Sequence, residues 1–216
     1  MSPSLYQKII NNLVEIDFAG RISFDFYNEP LLHPELTDFV ILTRAQLPRS
    51  ILHLYSNGSL LTLDRYRGLR SAGIDKFVIT KHEAEFQSLN GFAFDATYLA
   101  LTAEEKRCVV YRSHHDLKLV NRGGLLPHLG RQGLPLVPCH LPSHMLTFTV
   151  AGLVLPCFED FREEQVFGDI HKQKLVDILA SEKYVQFRRD LKRGLRHLHR
   201  PCQNCNRTEV LPPFDV

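Results

Sequence analysis

The chain has no run of 18 apolar residues, and its first residues, MSPSLYQKIINN, contain no basic stretch leading into an apolar one. The first absence excludes a hydropathic membrane span and the second leaves no secretory signal, so the expected location is the cytoplasm, with no membrane partner. Nor is there a large charge of either sign: the formal net charge is +2 and the isoelectric point about 8.3. That field is too mild to gather nucleic acid. Internal repeats and low-complexity tracts are absent as well. Cysteines are few, five in 216 residues, and in a reducing compartment they argue against a disulfide framework and toward metal binding or catalysis.

What is present is an ordinary globular composition, 44% hydrophobic and 23% charged. It suffices for one domain, or a domain with a small appendage, around a real core. The basic segment RRDLKRGLRHLHR, Arg188 to Arg200, reads as the solvated face of a terminal helix. Cys108, in the apolar run with Val109, Val110 and Tyr111, reads as a small buried hydrophobe.

Residues 2–17 read as a helix, with Ser2 as cap, Pro3 in the first turn, and Leu5, Ile9, Leu13 and Ile16 on one face. Arg21 to Tyr27 reads as a strand that runs into Asn28, Glu29 and Pro30. Helical spacing returns over Glu35 to Gln46 and over Leu63 to Ala72, the latter closed by Gly73; Ser50 to Ser56 and Lys76 to Thr80 read as strands. From His82 to Thr102 the pattern suggests a short helix and an irregular loop. Arg107 to Tyr111 and Leu117 to Asn121 add two more short strands.

Strands alternating with helices predict an α/β fold of parallel β/α units, and five such strands suggest part of a barrel. After Asn121 the character changes: residues 123–143 hold four glycines and four prolines, the composition of a linker or cover loop. Beyond it, Met145 to Val150 and Leu153 to Cys157 flank an Ala151-Gly152 turn as a β-hairpin, and Lys174 to Ala180 and Tyr184 to Lys192 read as helices. A boundary is placed near residue 130, dividing the chain into 1–130 and 131–216.

Two constellations carry chemistry. Cys202 and Cys205 form a CxxC, which puts two thiolates on one tight turn; Cys157 on the hairpin supplies a third and Cys139 a fourth. Four thiolates satisfy a [4Fe–4S] cluster or a structural zinc equally on ligand count. The second constellation lies at the strand ends, where a β/α barrel gathers ligands: Asn28-Glu29, Ser56-Asn57-Gly58, Thr80-Lys81-His82 and Asn121-Arg122-Gly123-Gly124. Glu29 suits an ammonium, and Ser56 and Asn57 suit carboxylate or sugar oxygens.

FYNEPLLHP followed by LYSNGSLL resembles the GGEPLLHP and TNGTLL regions of radical S-adenosylmethionine (SAM) enzymes. The tail, with C-x12-G-x4-C, VFGDI, LVDILASEKYVQFRRDLKRG and CQNC, resembles their SPASM or shorter twitch extension. Spacings of 17, 44 and 2 residues between cysteines, with none after Cys205, are similar to the one-cluster twitch form. The resemblance implies a partial (β/α) barrel of radical SAM type lacking its first strand, plus a small C-terminal β-hairpin and helix extension that binds a cluster. It implies an oxidoreductase acting on a sugar or aminocyclitol alcohol. For a full-length parent the resemblance implies cleavage of SAM to a 5′-deoxyadenosyl radical, abstraction of hydrogen from the carbinol carbon, and passage of an electron to an auxiliary [4Fe–4S] cluster.

By the same resemblance Asn28, Glu29, Ser56 and Asn57 hold SAM, Glu29 taking the methionine ammonium, although the family's two glycines are here Tyr27 and Asn28. By the same implication Cys139, Cys157, Cys202 and Cys205 ligate the auxiliary cluster, Arg122 is the catalytic candidate, placed to touch the polyol substrate or the cluster's surroundings, and a flavodoxin or ferredoxin donates electrons. The family's CxxxCxxC, which holds the SAM-cleaving cluster, does not occur, and Cys108 alone cannot replace it. The expectation is a truncated or degenerate member, inert in SAM cleavage as it stands. Truncation is the favoured reading, because a barrel lacking a strand leaves an unpaired edge. A peptide-modifying SPASM enzyme and a non-catalytic four-cysteine zinc protein are the alternatives.

Overall fold

The computed structural model describes residues 1–82, 92–130 and 137–208. The chain forms two compact units, one made of Leu13–Lys118 and the other of Met1–Asn12 with Leu119–Val216. The division after Lys118 lies ahead of the position near residue 130 read from composition, and the first helix α1 (Pro3–Glu15) is shared between the units.

The first unit is an α/β layer. Strands β1 (Arg21–Ser23), β2 (Ile51–Ser56), β3 (Lys76–Lys81) and β4 (Val109–Ser113) pair in sequential order, all parallel. Helices α2 (Leu36–Gln46) and α3 (Leu63–Ala72) cross between the first three strands, and α4 (Ala93–Ala100) and α5 (Ala103–Arg107) precede β4. Alternate residues of β2 turn to one face, where Leu52 and Leu54 join Phe77, Ile79 and Val109 against Leu36, Val40, Tyr66 and Leu69. The Tyr66 and Phe77 rings meet at 4.5 Å in this core. The ends of α3 follow from local chemistry: the Thr62 hydroxyl accepts from the Arg65 N–H, and Gly73, at φ +130°, ends the helix in a conformation that costs an L residue strain.

Three strand readings are corrected. β1 stops at Ser23 rather than Tyr27, because the Asn28 side-chain oxygen accepts from the Phe26 N–H and folds the segment back. The strand expected at Arg107 begins two residues later, since Thr102 and Glu105 form a reciprocal capping box that makes 103–107 helical. Leu117 to Asn121 forms no strand. Its end is bound to distant asparagines instead: the Asn121 N–H donates to Asn206 Oδ1 at 2.8 Å, and Asn121 Nδ2 donates to the Asn204 carbonyl at 2.7 Å. The described sheet therefore has four strands, not five. Cys108 is half-buried and terminates α5, its N–H bonded to the Glu105 carbonyl.

The second unit packs helices on a small antiparallel sheet. After α6 (Leu141–His144), strands β5 (Thr147–Phe148), β6 (Leu153–Leu155) and β7 (Gly168–Asp169) pair in order, the expected hairpin with a third strand added. Helices α7 (Leu175–Ala180) and α8 (Glu182–Lys192) close over it, with Phe167 ringed by Tyr184 at 4.5 Å and Phe187 at 4.8 Å. Asn12 of α1 ties into this unit by accepting from the Leu175 N–H at 2.7 Å. Part of the expected linker, 131–136, and part of the expected irregular loop, 83–91, lie outside the described residues. No helix among the described residues is long and apolar enough to cross a membrane.

Candidate cofactor and metal sites

At the C-terminal mouth of β2 the Glu29 carboxylate is built into the backbone. Its Oε1 accepts from the Leu31 N–H at 3.0 Å and from the Ser56 hydroxyl at 2.8 Å, and its Oε2 from the Asn57 N–H at 2.9 Å. A carboxylate has roughly four acceptor positions, so three donors orient it and leave capacity for one more. Ser56 is buried and spends its hydroxyl inside the protein, donating to Glu29 and accepting from the Gly58 N–H at 2.9 Å. Asn57 folds back on Ser59 through its side-chain oxygen. Asn28 is exposed and shapes its own loop. The chain turns there through Tyr27 at φ +53°, a left-handed conformation that glycine adopts without strain and that the family's pattern meets with glycine.

Within the second unit, the four cysteines of separate segments come together. All are free thiols, Cys157 and Cys205 buried, Cys139 and Cys202 half-buried. Burial pushes the Cys157 thiol well up from its ordinary value, and the proximity of Cys202, Cys205 and Cys139 adds to the rise. Cys202 is raised by burial and by Cys205 and Cys139; Cys205 by burial, against which the Arg207 N–H and the Arg196 charge work. Two sulfurs accept backbone N–H groups two residues on, Cys157 from Glu159 and Cys205 from Arg207. Such bonds stabilise thiolate and tune iron–sulfur centres.

Among the described residues no three cysteine, histidine or carboxylate side chains converge closely enough for one metal ion. Four thiols in mutual electrostatic reach, two of them carrying N–H···S bonds, are a donor set of the kind an iron–sulfur cluster takes.

Beside these cysteines, Arg122, Leu125, Glu159, Asp160, Phe161 and Pro201 border a small cleft. Arg122 sits at φ +51° with Nη1 3.9 Å from Glu159 Oε1. Glu159 is 2% exposed, and its Oε1 accepts from Arg207 at 2.9 Å, while its buried Oε2 has no hydrogen-bond partner among the described residues. Glu159 was not legible as a site residue in the sequence; its position two residues after Cys157 was the available signal. The basic segment 188–200 is likewise corrected: it is not uniformly solvated, since Arg196 is 3% exposed and His199 pairs with the buried Asp190 at 3.0 Å.

Residues 139–206 match the SPASM family, described as an iron–sulfur cluster-binding domain. The S-adenosyl-L-methionine-dependent 2-deoxy-scyllo-inosamine dehydrogenase of Niallia circulans is 41% identical over 210 residues, 97% of this chain and 82% of that protein. A crystal structure of BtrN in complex with AdoMet and 2-DOIA superposes with a TM-score of 0.89 at 41% identity, covering 97% of this chain and 82% of that one. Selenomethionine BtrN in an open conformation gives 0.77 at 36% identity over the same coverage. Native anSMEcpe with bound AdoMet, 11% identical with a TM-score of 0.52 over 87% of this chain and 73% of that one, shares the fold alone. With a relative so similar along nearly its whole length, and with its four clustered cysteines inside the SPASM match, the chain belongs to the SAM-dependent radical dehydrogenases that carry a SPASM iron–sulfur domain.

Proposed function

We propose that the protein serves the oxidation of a secondary alcohol on an aminocyclitol of the 2-deoxy-scyllo-inosamine type to a ketone. The mouth of the parallel sheet holds SAM, and the four thiolates hold the electron acceptor. When bound, SAM supplies hydrogen-atom abstraction and the iron–sulfur cluster accepts one electron. The residues of the chain bind, orient and exclude water. Glu29, fixed by Leu31, Ser56 and Asn57, offers its remaining acceptor capacity to the SAM ammonium, with Asn28 and Asn57 forming the surrounding turn. An aminocyclitol carries hydroxyls and an ammonium, and the unpartnered Glu159 Oε2 is an acceptor suited to either; Arg122 at the same cleft supplies donors to the polyol. A flavodoxin or ferredoxin is the electron donor partner.

None of the chain's residues is assigned to a SAM-cleaving cluster, because the sequence contains no CxxxCxxC. The 216-residue chain on its own is expected to release no 5′-deoxyadenosine from SAM. The observation that carries the reading is the meeting of Cys139, Cys157, Cys202 and Cys205 in one unit. Anaerobic purification tests it: a brown protein absorbing near roughly 400 nm, with iron and sulfide at about four each per chain, is expected. A colourless protein with one zinc overturns it.

A further inference from the structure

Arg196 opens the short turn Arg196–Leu198 after α8 and is 3% exposed. Its guanidinium is held by main-chain carbonyls. Nε donates to Val137 at 2.8 Å, Nη1 to Arg207 at 2.8 Å and Cys205 at 3.4 Å, and Nη2 to Pro138 at 3.2 Å. Two of these acceptors belong to the ligand segments themselves, Cys205 and the residue before Cys139. The buried carboxylates of this unit are engaged elsewhere: Glu159 with Arg207, Asp190 with His199, and Asp160 with the Glu164 and Gln165 N–H groups. Among the described residues, then, a buried full positive charge has only neutral dipoles as partners. Burying a charge without a counter-ion is expensive, so the arrangement calls for an anion nearby.

The four thiols are the neighbouring groups able to become one. Hydrogen bonds to the Cys205 carbonyl and to the carbonyl of Pro138, the residue before Cys139, place the Arg196 charge beside two of them. We propose that Arg196 is the fixed counter-charge of the iron–sulfur cluster and sets its reduction potential. Four thiolates around an iron–sulfur core are anionic in both oxidation states. Taking up the one electron that the substrate gives up as its ketone forms makes them one unit more negative, while the guanidinium is unchanged. A nearby fixed cation therefore favours the reduced state, and its loss moves the potential to more negative values. Arg196 acts through the cluster and is a positioning residue, touching no substrate.

This inference rests on the four cysteines holding a cluster, and iron and sulfide analysis of the unmodified chain checks that reading separately. Arg196→Lys keeps the charge and loses the fork to the carbonyls; Arg196→Gln keeps donors and loses the charge. The potentials of both are read by anaerobic titration of the visible absorption. The lysine form is expected to hold the potential of the parent. The glutamine form is expected to reduce about tenfold less favourably, a negative shift of about 59 mV for a one-electron couple. An unchanged potential in cluster-bearing Arg196→Gln overturns the proposal. Should the glutamine form fail to hold iron, retention of the full complement by Arg196→Lys supports the charge role, and equal loss in both variants overturns it in favour of a purely structural cross-link.

Discussion

Glu29 owes its placement to donors on two segments, and that makes it a local stabiliser as well as a ligand candidate. Glu29→Gln keeps the shape but turns one acceptor oxygen into an NH2 that faces the Ser56 hydroxyl or the Asn57 N–H. The expected cost is about 2 kcal/mol, the scale of a lost charge-assisted hydrogen bond, visible as a lower urea midpoint. His53, on β2, gives a prediction in pH. Burial, then the charges of Arg21 and Lys76, depress its pKa from 6.5 to about 4, against a small opposing pull from Asp75. Between those values the unfolded chain binds a proton that the folded chain refuses, so this contribution is whole above about pH 6.5 and is lost as pH falls toward 4. Between pH 7 and pH 5 the urea midpoint should therefore drop further in the parent than in His53→Gln. Equal drops would show that the ring titrates normally.

Elements fixed from afar were not legible, and local chemistry was legible only in part: the Asn28 bond to the Phe26 N–H and the Thr102–Glu105 capping box act within three residues, yet Phe26 and Arg107, which they shape, were read as strand. The residues of α3 could be read at both ends because Thr62 and Gly73 act within one turn of it. The false strand at 117–121 had suitable residues but no sheet partner, since Asn121 answers to Asn204 and Asn206, more than 80 positions away. Cysteine spacing likewise singled out the four thiols that the fold brings into one unit, while nothing local distinguished Arg196 from its solvated neighbours or marked the Glu159 oxygen as unpartnered. Asn121 is 0% exposed, donates to Asn204 and accepts from Gly124 and Asn206. Asn121→Ala leaves those groups unpaired and should cost about 3 kcal/mol. Because Asn204 lies between Cys202 and Cys205, iron per chain should fall as well. A variant that loses stability but keeps all its iron would separate the asparagine clamp from the ligand turn.

At the scale of the whole molecule, stability is divided. The α/β unit has its own core, from Leu31 to Val109, built from sheet and helix side chains with no cysteine ligand among them. The other unit draws on short strands and helices, and gathers four thiols, two of them buried and two half-buried, with one buried guanidinium that a bare protein has little reason to bury. Its folding should then be coupled to the metal, whose binding free energy is folding free energy. Removing iron with a chelator, or replacing Cys202 and Cys205 with alanine, is expected to raise amide hydrogen exchange across 137–208 toward unfolded rates while α2, α3 and β2 to β4 keep their protection. Uniform loss of protection across both units would show that the chain folds as one cooperative body. Unchanged protection together with unchanged metal content in the double variant would remove these cysteines from the ligand set.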